Sequence, residues 1–277
     1  MSRRSAPDAV EQQVGGAAPQ GRSGAWDATG VMRVATFNVR HGRPERARRP
    51  DHARLVAAVV SLDAEVIGIQ ELDRGTSRVG GVDQPTMLAD ATGMDVRFGR
   101  AIDHDGGHYG VALASRRPLG STEVLRLPGA GEPRVAIMGI LEGVDELEGG
   151  SSAVEPAVSG RGVSWAVGCT HLTTVADDAI GQLGVVLEAL TDLAGDRPAV
   201  LLGDLNLEAD RVGPVLASHG WIAARSGPTH PAARPTRRID WVLVRAAFVE
   251  SSSVLDLRAS DHRPLVADVR PRDSTTA

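Results

Sequence analysis

The chain has 277 residues, with 30 Lys+Arg against 35 Asp+Glu, a formal net charge of −5, 42% hydrophobic residues and 3% aromatics. All 30 cations are arginine, which excludes Schiff-base and pyridoxal-phosphate enzymes and any nucleotide site built on a P-loop lysine. A lone cysteine, Cys169, excludes a disulfide framework and a multi-thiolate zinc site, and so few aromatics argue against a row of stacking platforms for single-stranded nucleic acid.

Residues 1–30 are rich in Gly, Ala, Ser, Gln and Pro and carry no apolar core segment behind the early arginines, so they read as a disordered leader rather than a secretory signal. No apolar run approaches the ~20 residues of a bilayer helix. The default expectation is a cytoplasmic monomer without a transmembrane segment. VMRVATFNV is a strand pattern that stops at Asn38 before a loop holding Arg40, His41, Arg43, Arg46, Arg48 and Arg49. Asp51 to Leu62 has apolar positions at helical spacing. AEVIGIQEL reads as a buried strand with Glu71 at its end, followed by a long polar loop, a helix over Gln84–Thr92, a strand over Asp95–Arg100 and the strand HYGVALASRRP. The strands RVAIMGILEG and VSWAVGCTHL flank the acidic, then Gly/Ser-rich Glu142–Gly162, predicted to be an elaborated hairpin loop. A helix over Ala179–Ala194, the strand PAVLLGDL, a helix over Arg211–Ser218 and the strands IDWVLVR and LVADVR complete the chain. Strands alternate with helices and also occur in adjacent pairs, which predicts an α/β fold with mixed sheets and outer helices. No linker divides residues 31–272, so one domain is expected there, with 273–277 as a tail.

Several of these buried strands end in a carboxylate, carboxamide or imidazole: Asn38, Glu71, His171, Asp204 with Asn206, and Arg238 with Asp240. Asp261 and His262 precede the last strand. Taken singly, each has an ordinary role as a strand end, turn or cap. Jointly they place charge directly after apolar runs, where charge is costly unless paired or metal-bound. The oxygens are hard donors suited to Mg²⁺ or Mn²⁺. His171 and His262 can donate to phosphate oxygens, and Asp240 can fix the tautomer of one of them. Metal-assisted hydrolysis of a phosphate ester follows from these residue types.

In order, TFNV, IQELD, HYGVALASRRP, CTHL, GDLNLEAD, RRIDWVLV and SDHRPLVADV resemble the endonuclease/exonuclease/phosphatase superfamily from Met32 to Val269. The superfamily includes deoxyribonuclease-I-like nucleases, abasic-site exonucleases, neutral sphingomyelinases and inositol-polyphosphate phosphatases. The resemblance implies a four-layer α/β sandwich of two packed mixed β-sheets flanked by helices, with the site where the strand ends meet. It implies that Glu71, Asn38 and Asp261 belong to the metal shell. Asp204 and Asn206 would orient the attacking water and bind phosphate oxygens. His262, partnered by Asp240, and His171 would contact the phosphate, and Tyr109, the only tyrosine, stands where relatives carry a phosphate-contacting tyrosine. Val111 replaces an asparagine that many relatives have two residues after it. Arg134 and Arg238 are candidate substrate-binding residues, with either Arg237 or Arg238 reaching the substrate. The expected activity is a Mg²⁺- or Mn²⁺-dependent phosphodiesterase working by in-line attack of water. Non-specific DNA cleavage is the alternative, favoured by the local arginine runs and disfavoured by the net charge of −5. A catalytically silent scaffold is the alternative from another class. The substrate-reading loops match no single subfamily, so nucleic acid, a lipid headgroup, an inositol phosphate and a small diester all stay open.

Overall fold

The computed structural model describes residues 30–143 and 162–272. Most of the leader, most of the 142–162 loop and the tail lie outside the described residues. The first half contains β1 (Met32–Asn38), α1 (His52–Ser61), β2 (Val66–Arg74), α2 (Gln84–Thr92), β3 (Asp95–His104), β4 (Gly107–Ser115), β5 (Leu119–Arg126) and β6 (Val135–Leu141). The second half contains β7 (Trp165–His171), α3 (Ala176–Ala194), β8 (Ala199–Asp204), α4 (Ala209–His219), β9 (Ile222–Ala223), β10 (Asp240–Arg245), β11 (Ala247–Val254) and β12 (Leu265–Pro271).

The strands form two six-stranded mixed sheets, in the orders β11-β12-β1-β2-β4-β3 and β5-β6-β7-β8-β10-β9. Each sheet holds a central parallel pair, β1 with β2 and β7 with β8; β7 and β8 are buried end to end, and β1 and β2 over most of their length. Such pairs read as continuous apolar runs because both faces are covered. Between the sheets lies a core that includes Val34, Val66, Leu113, Ile137, Val167, Cys169 and Leu202. α3 covers the outer face of the second sheet with Leu183, Val186, Leu187 and Leu190, while α1 covers the first with Leu55, Ala58 and Val59. The starts of α1 and α2 are capped by side chains: Asp51 accepts from Arg54 N at 3.0 Å and Asp83 from Thr86 N at 3.1 Å. The expected α/β sandwich of two packed mixed sheets flanked by helices is the architecture observed.

The sheets approach closely at Gly68 of β2. A Cβ there would lie 2.5 Å from Leu202 Cβ and 3.2 Å from Cys169 Sγ. A buried hydrogen-bond bridge runs beside this contact: Gln70 Nε2 donates to Thr36 Oγ1 at 3.1 Å and reaches Cys169 Sγ at 3.2 Å. Gln70 thus ties β2 to its neighbour and to the opposing sheet, just before the residues that carry the site.

Three strands escape the sequence reading, namely β5, β9 and β11, and all three are sheet edges. β5 and β11 are largely exposed and carry little apolar periodicity. β3 also extends to His104, beyond the expected Arg100. Among the described residues, no helix is long and apolar enough to cross a membrane.

Gly68→Ala is expected to destabilise the fold by about 1–3 kcal/mol, because the facing Leu202 Cβ cannot rotate away. Urea unfolding measures this, and an unchanged midpoint would contradict so tight an approach.

Candidate active site

β-strand register assembles the site before any side chain is considered. β7 and β8 pair in parallel with His171 opposite Asp204, and β10 pairs antiparallel with β8 so that Asp240 also faces Asp204. One cross-strand row therefore reads His171, Asp204, Asp240. On the other sheet the parallel pairing sets Asn38 beside Gln70, at the corresponding ends of β1 and β2. The two ends touch: Asn38 Nδ2 donates to Glu71 Oε1 at 2.9 Å and to Asp204 Oδ2 at 3.0 Å.

β2 does not end at Glu71, as expected, but runs on to Arg74. Its register with β4 shifts between Ile69 and Leu72, and Glu71 adopts φ 58°. The bulge breaks the in–out alternation, so Gln70 enters the core while Glu71 lines the site cavity. Asn206, at φ 53°, is similarly turned after β8, with its N–H donating to Asp204 Oδ1 at 3.0 Å. Such conformations cost on the order of 1–3 kcal/mol and persist only where surrounding contacts hold them.

His262 enters from the loop before β12. Its Nδ1 lies 2.9 Å from Asp240 Oδ2, which also accepts from Thr229 Oγ1. Its Nε2 is 3.7 Å from Asp204 Oδ2. Burial alone would lower the His262 pKa, but the carboxylates of Asp240 and Asp204 outweigh it and push it up to about 10. The ring is thus an imidazolium at neutral pH, with Nδ1–H donating to Asp240. His171 is the opposite case: burial, Arg134 and His262 hold its pKa well below the usual value. Arg134 Nη1 lies 3.1 Å from His171 Nδ1 and Asn206 Nδ2 lies 3.3 Å from its Nε2, so both nitrogens of the neutral ring face N–H donors. That Nε2 is 3.6 Å from Asp204 Oδ2. Two imidazole Nε2 atoms therefore flank one carboxylate oxygen. Burial, with Asp240 nearby, raises the Asp204 pKa to about 7.

These groups open into a cavity of about 360 Å³, whose lining includes Glu71, Tyr109, Arg134, His171, Asp204, Asn206 and His262. Asn38 and Asp240 are fully buried beneath the site. Asp261 is not among the lining residues; it pairs with Arg40 at 3.3 Å, yet it is near enough to raise the Glu71 pKa, for which burial is the larger cause. Arg238 turns elsewhere, with its guanidinium 3.8 Å from the Trp241 ring and Nη2 donating to Ala224 O, whereas Arg237 lines the cavity. Arg134 is on the wall, paired with Glu132 at 3.2 Å. Val111 is buried between the sheets. His230 and Arg78 also line the cavity, although sequence reasoning gave neither a role. The His230 ring packs 4.7 Å from that of His262. The histidine itself in THPAARPTRRID was the only available signal for it; Arg78 sits in what reads as an ordinary polar loop.

Atoms of Asp204, Asp240 and His262 lie within 4.8 Å of one another, close enough for three ligands of one metal ion. A protonated imidazole offers no lone pair, however, and His262 already serves Asp240. The second group of hard donors is Glu71 and its neighbours. Among the described residues Glu71 forms no ion pair; it is a largely buried carboxylate whose pKa burial pushes up and that accepts from Asn38. An unneutralised buried carboxylate fits a hard divalent cation.

Two packed mixed sheets thus carry an acidic and imidazole-lined cavity at their strand ends. Residues 35–262 match the endonuclease/exonuclease/phosphatase family, and the chain belongs to that family, whose members hydrolyse phosphate esters. It is 25% identical over 257 residues to the uncharacterized protein YbhP of Escherichia coli K12, covering 86% of this chain and 96% of that one. An endonuclease/exonuclease/phosphatase structure from Beutenbergia cavernae superposes with a TM-score of 0.67 at 24% identity, over 89% of this chain and 73% of the other. D. rerio TDP2 complexed with single-strand DNA product superposes with a TM-score of 0.63 at 16% identity, over 87% and 99%.

A histidine whose folded pKa is raised adds stability that is complete below its unfolded value of about 6.5 and is lost as pH rises toward the folded value. The chain has no lysine, and Cys169, pushed up to about 12 by burial, contributes only above the unfolded thiol value of about 8.5. Between about pH 7.5 and 8.5, in EDTA, the unfolding free energy is therefore expected to fall by up to about 1.4 kcal/mol, and His262→Gln is expected to flatten that slope. Equal slopes in the two proteins would contradict a buried imidazolium.

Proposed function

We propose that the protein is a metal-dependent phosphodiesterase acting by in-line attack of an activated water. The observation that carries this reading is the pair of imidazoles, neutral His171 and protonated His262, on either side of Asp204 within one cavity. Asp204, with its pKa near 7, accepts a proton from water at Oδ2 and aligns it for attack on phosphorus. Asn38 holds that oxygen in place, and the Asn206 N–H holds the other. His262 Nε2–H meets the phosphoryl oxygens as charge builds on them, with His171 beside it, and Asp240 steadies the imidazolium. Tyr109 and Arg134, which line the cavity, shape the approach of the ester.

Glu71 and Asn38, with Asp261 nearby, would hold Mg²⁺ or Mn²⁺, which when bound supplies Lewis-acid neutralisation of the phosphoryl charge. Nucleic acid is the second reading of the substrate. It is favoured by the arginines of residues 43–54, of which Arg46, Arg48, Arg49 and Arg54 line a separate surface groove, and by the likeness to a protein complexed with single-strand DNA.

Purified protein is expected to hydrolyse bis-p-nitrophenyl phosphate with Mg²⁺ or Mn²⁺ and to stop in EDTA. His262→Ala is expected to lower turnover at least about a hundredfold while folding normally. A folded His262→Ala protein with wild-type turnover would overturn the role of His262. The absence of EDTA-sensitive turnover, together with no metal binding by calorimetry, would favour a silent scaffold.

A further inference from the structure

Arg40 stands two residues past Asn38, in the short 3₁₀ turn Arg40–Gly42 that follows β1. Arg40 and His41 both take φ 46°, so the chain leaves the strand through consecutive non-glycine residues in the left-handed region. Such conformations persist only where surrounding contacts hold them. Here the turn lets one residue reach two groups of the metal site. The Arg40 N–H donates to Asn38 Oδ1 at 3.0 Å, and its Nε lies 3.3 Å from Asp261 Oδ2. Nη1 donates to Glu45 O at 3.4 Å, and the Glu45 carboxylate accepts from Ala233 N at 2.7 Å. Asp261 is engaged on its other side as well. Its Oδ1 accepts from Ser260 Oγ at 3.1 Å, and its carbonyl accepts from Ala232 N at 2.7 Å.

The carboxylates gathered here differ in which cation faces them. Asp240 Oδ2 is 2.9 Å from the His262 ring, and Asp204 Oδ2 is 3.7 Å from the same imidazolium. Asp261 faces Arg40. Among the described residues, Glu71 alone of these four forms no ion pair; it accepts only the Asn38 amide. The protein's own cations therefore leave a single uncompensated carboxylate. A guanidinium is always charged and has no lone pair, so it repels a metal ion placed beside Asp261. An oxygen already held by a charged N–H donor must also surrender that bond before it can ligate.

We propose that Arg40 takes the place of a second metal ion: it keeps Asp261 out of direct coordination, and the site binds one divalent cation, at Glu71 and Asn38. This rests on the metal-dependent reading of the cavity. It departs from the family resemblance, which puts Asp261 in the metal shell. Arg40 is a positioning residue, acting through its N–H on Asn38 and through its guanidinium on Asp261.

Titration of the metal-free full chain with Mn²⁺, followed by calorimetry and by electron paramagnetic resonance, tests this without any substrate. Wild-type protein is expected to bind one Mn²⁺ per chain. Arg40→Gln frees Asp261 and is expected to bind Mn²⁺ about tenfold more tightly, whereas Arg40→Lys keeps the cation and is expected to match wild type. Arg40→Gln combined with Asp261→Asn removes both charges together. If Asp261 is not a ligand, that double variant binds Mn²⁺ within about threefold of wild type. Should Arg40→Gln alone fail to fold, the wild-type count and the double variant decide the matter. Two Mn²⁺ ions bound to wild type, an Arg40→Gln protein that binds no more tightly, or a loss of about tenfold or more in the double variant would overturn the proposal. If wild-type protein bound no Mn²⁺, the metal-dependent reading would fall first and this proposal with it.

Discussion

The buried contact between Asp240 and His262 is the interaction on which the rest of the site depends. A carboxylate and an imidazole with almost no solvent access are costly to desolvate, and their mutual attraction repays that cost only with good geometry and further hydrogen bonds. Thr229 supplies one such bond to Asp240, and β10 fixes the carboxylate by pairing it opposite Asp204. The resulting proton on His262 then sets the character of its neighbours. It opposes a charge on His171, favours ionisation of Asp204 against the penalty of burial, and draws Glu71 in the same direction. One proton location thus orders three neighbouring titratable groups.

Close packing makes this arrangement affordable. The sheets approach at Gly68 to a distance that a methyl group would violate, and the Gln70–Thr36–Cys169 bridge satisfies polar atoms at the same depth. Glu71 and Asn206 sit immediately beyond that dry layer with positive φ angles. Strain of this kind is sustained only when neighbours dictate the backbone, and the apolar core between the sheets is what does so. Arginine provides all the permanent cations, and at the cavity its planar fork is used in three ways: Arg134 donates toward His171 Nδ1, Arg78 latches onto Asp73, and Arg237 pairs with Glu208.

Much of this was readable from the residues. Central strands announce themselves as apolar runs because both faces are covered, and the motif order placed Asn38, Glu71, His171, Asp204, Asp240 and His262 at one end of the fold. Edge strands β5, β9 and β11 did not, since a strand covered on one side or neither loses the hydropathy contrast that reveals it. A bulge at Glu71 cannot be read from composition, because it depends on the register between β2 and β4. Arg238 and Arg237 illustrate the same limit. Adjacent positions point in different directions, and only the packing of Trp241 under Arg238 decides which one reaches the cavity. Arg78 stayed hidden because its partner Asp73 lies in the strand continuation past the bulge.

The most direct measurement of the central claim is the protonation of the His262 ring, followed by nitrogen-15 NMR of labelled protein in EDTA. The Asp240–His262 pair predicts that both ring nitrogens stay protonated through about pH 8, and that Asp240→Asn restores a transition nearer the ordinary histidine value of about 6.5. A wild-type ring that titrates near 6.5 would contradict the account.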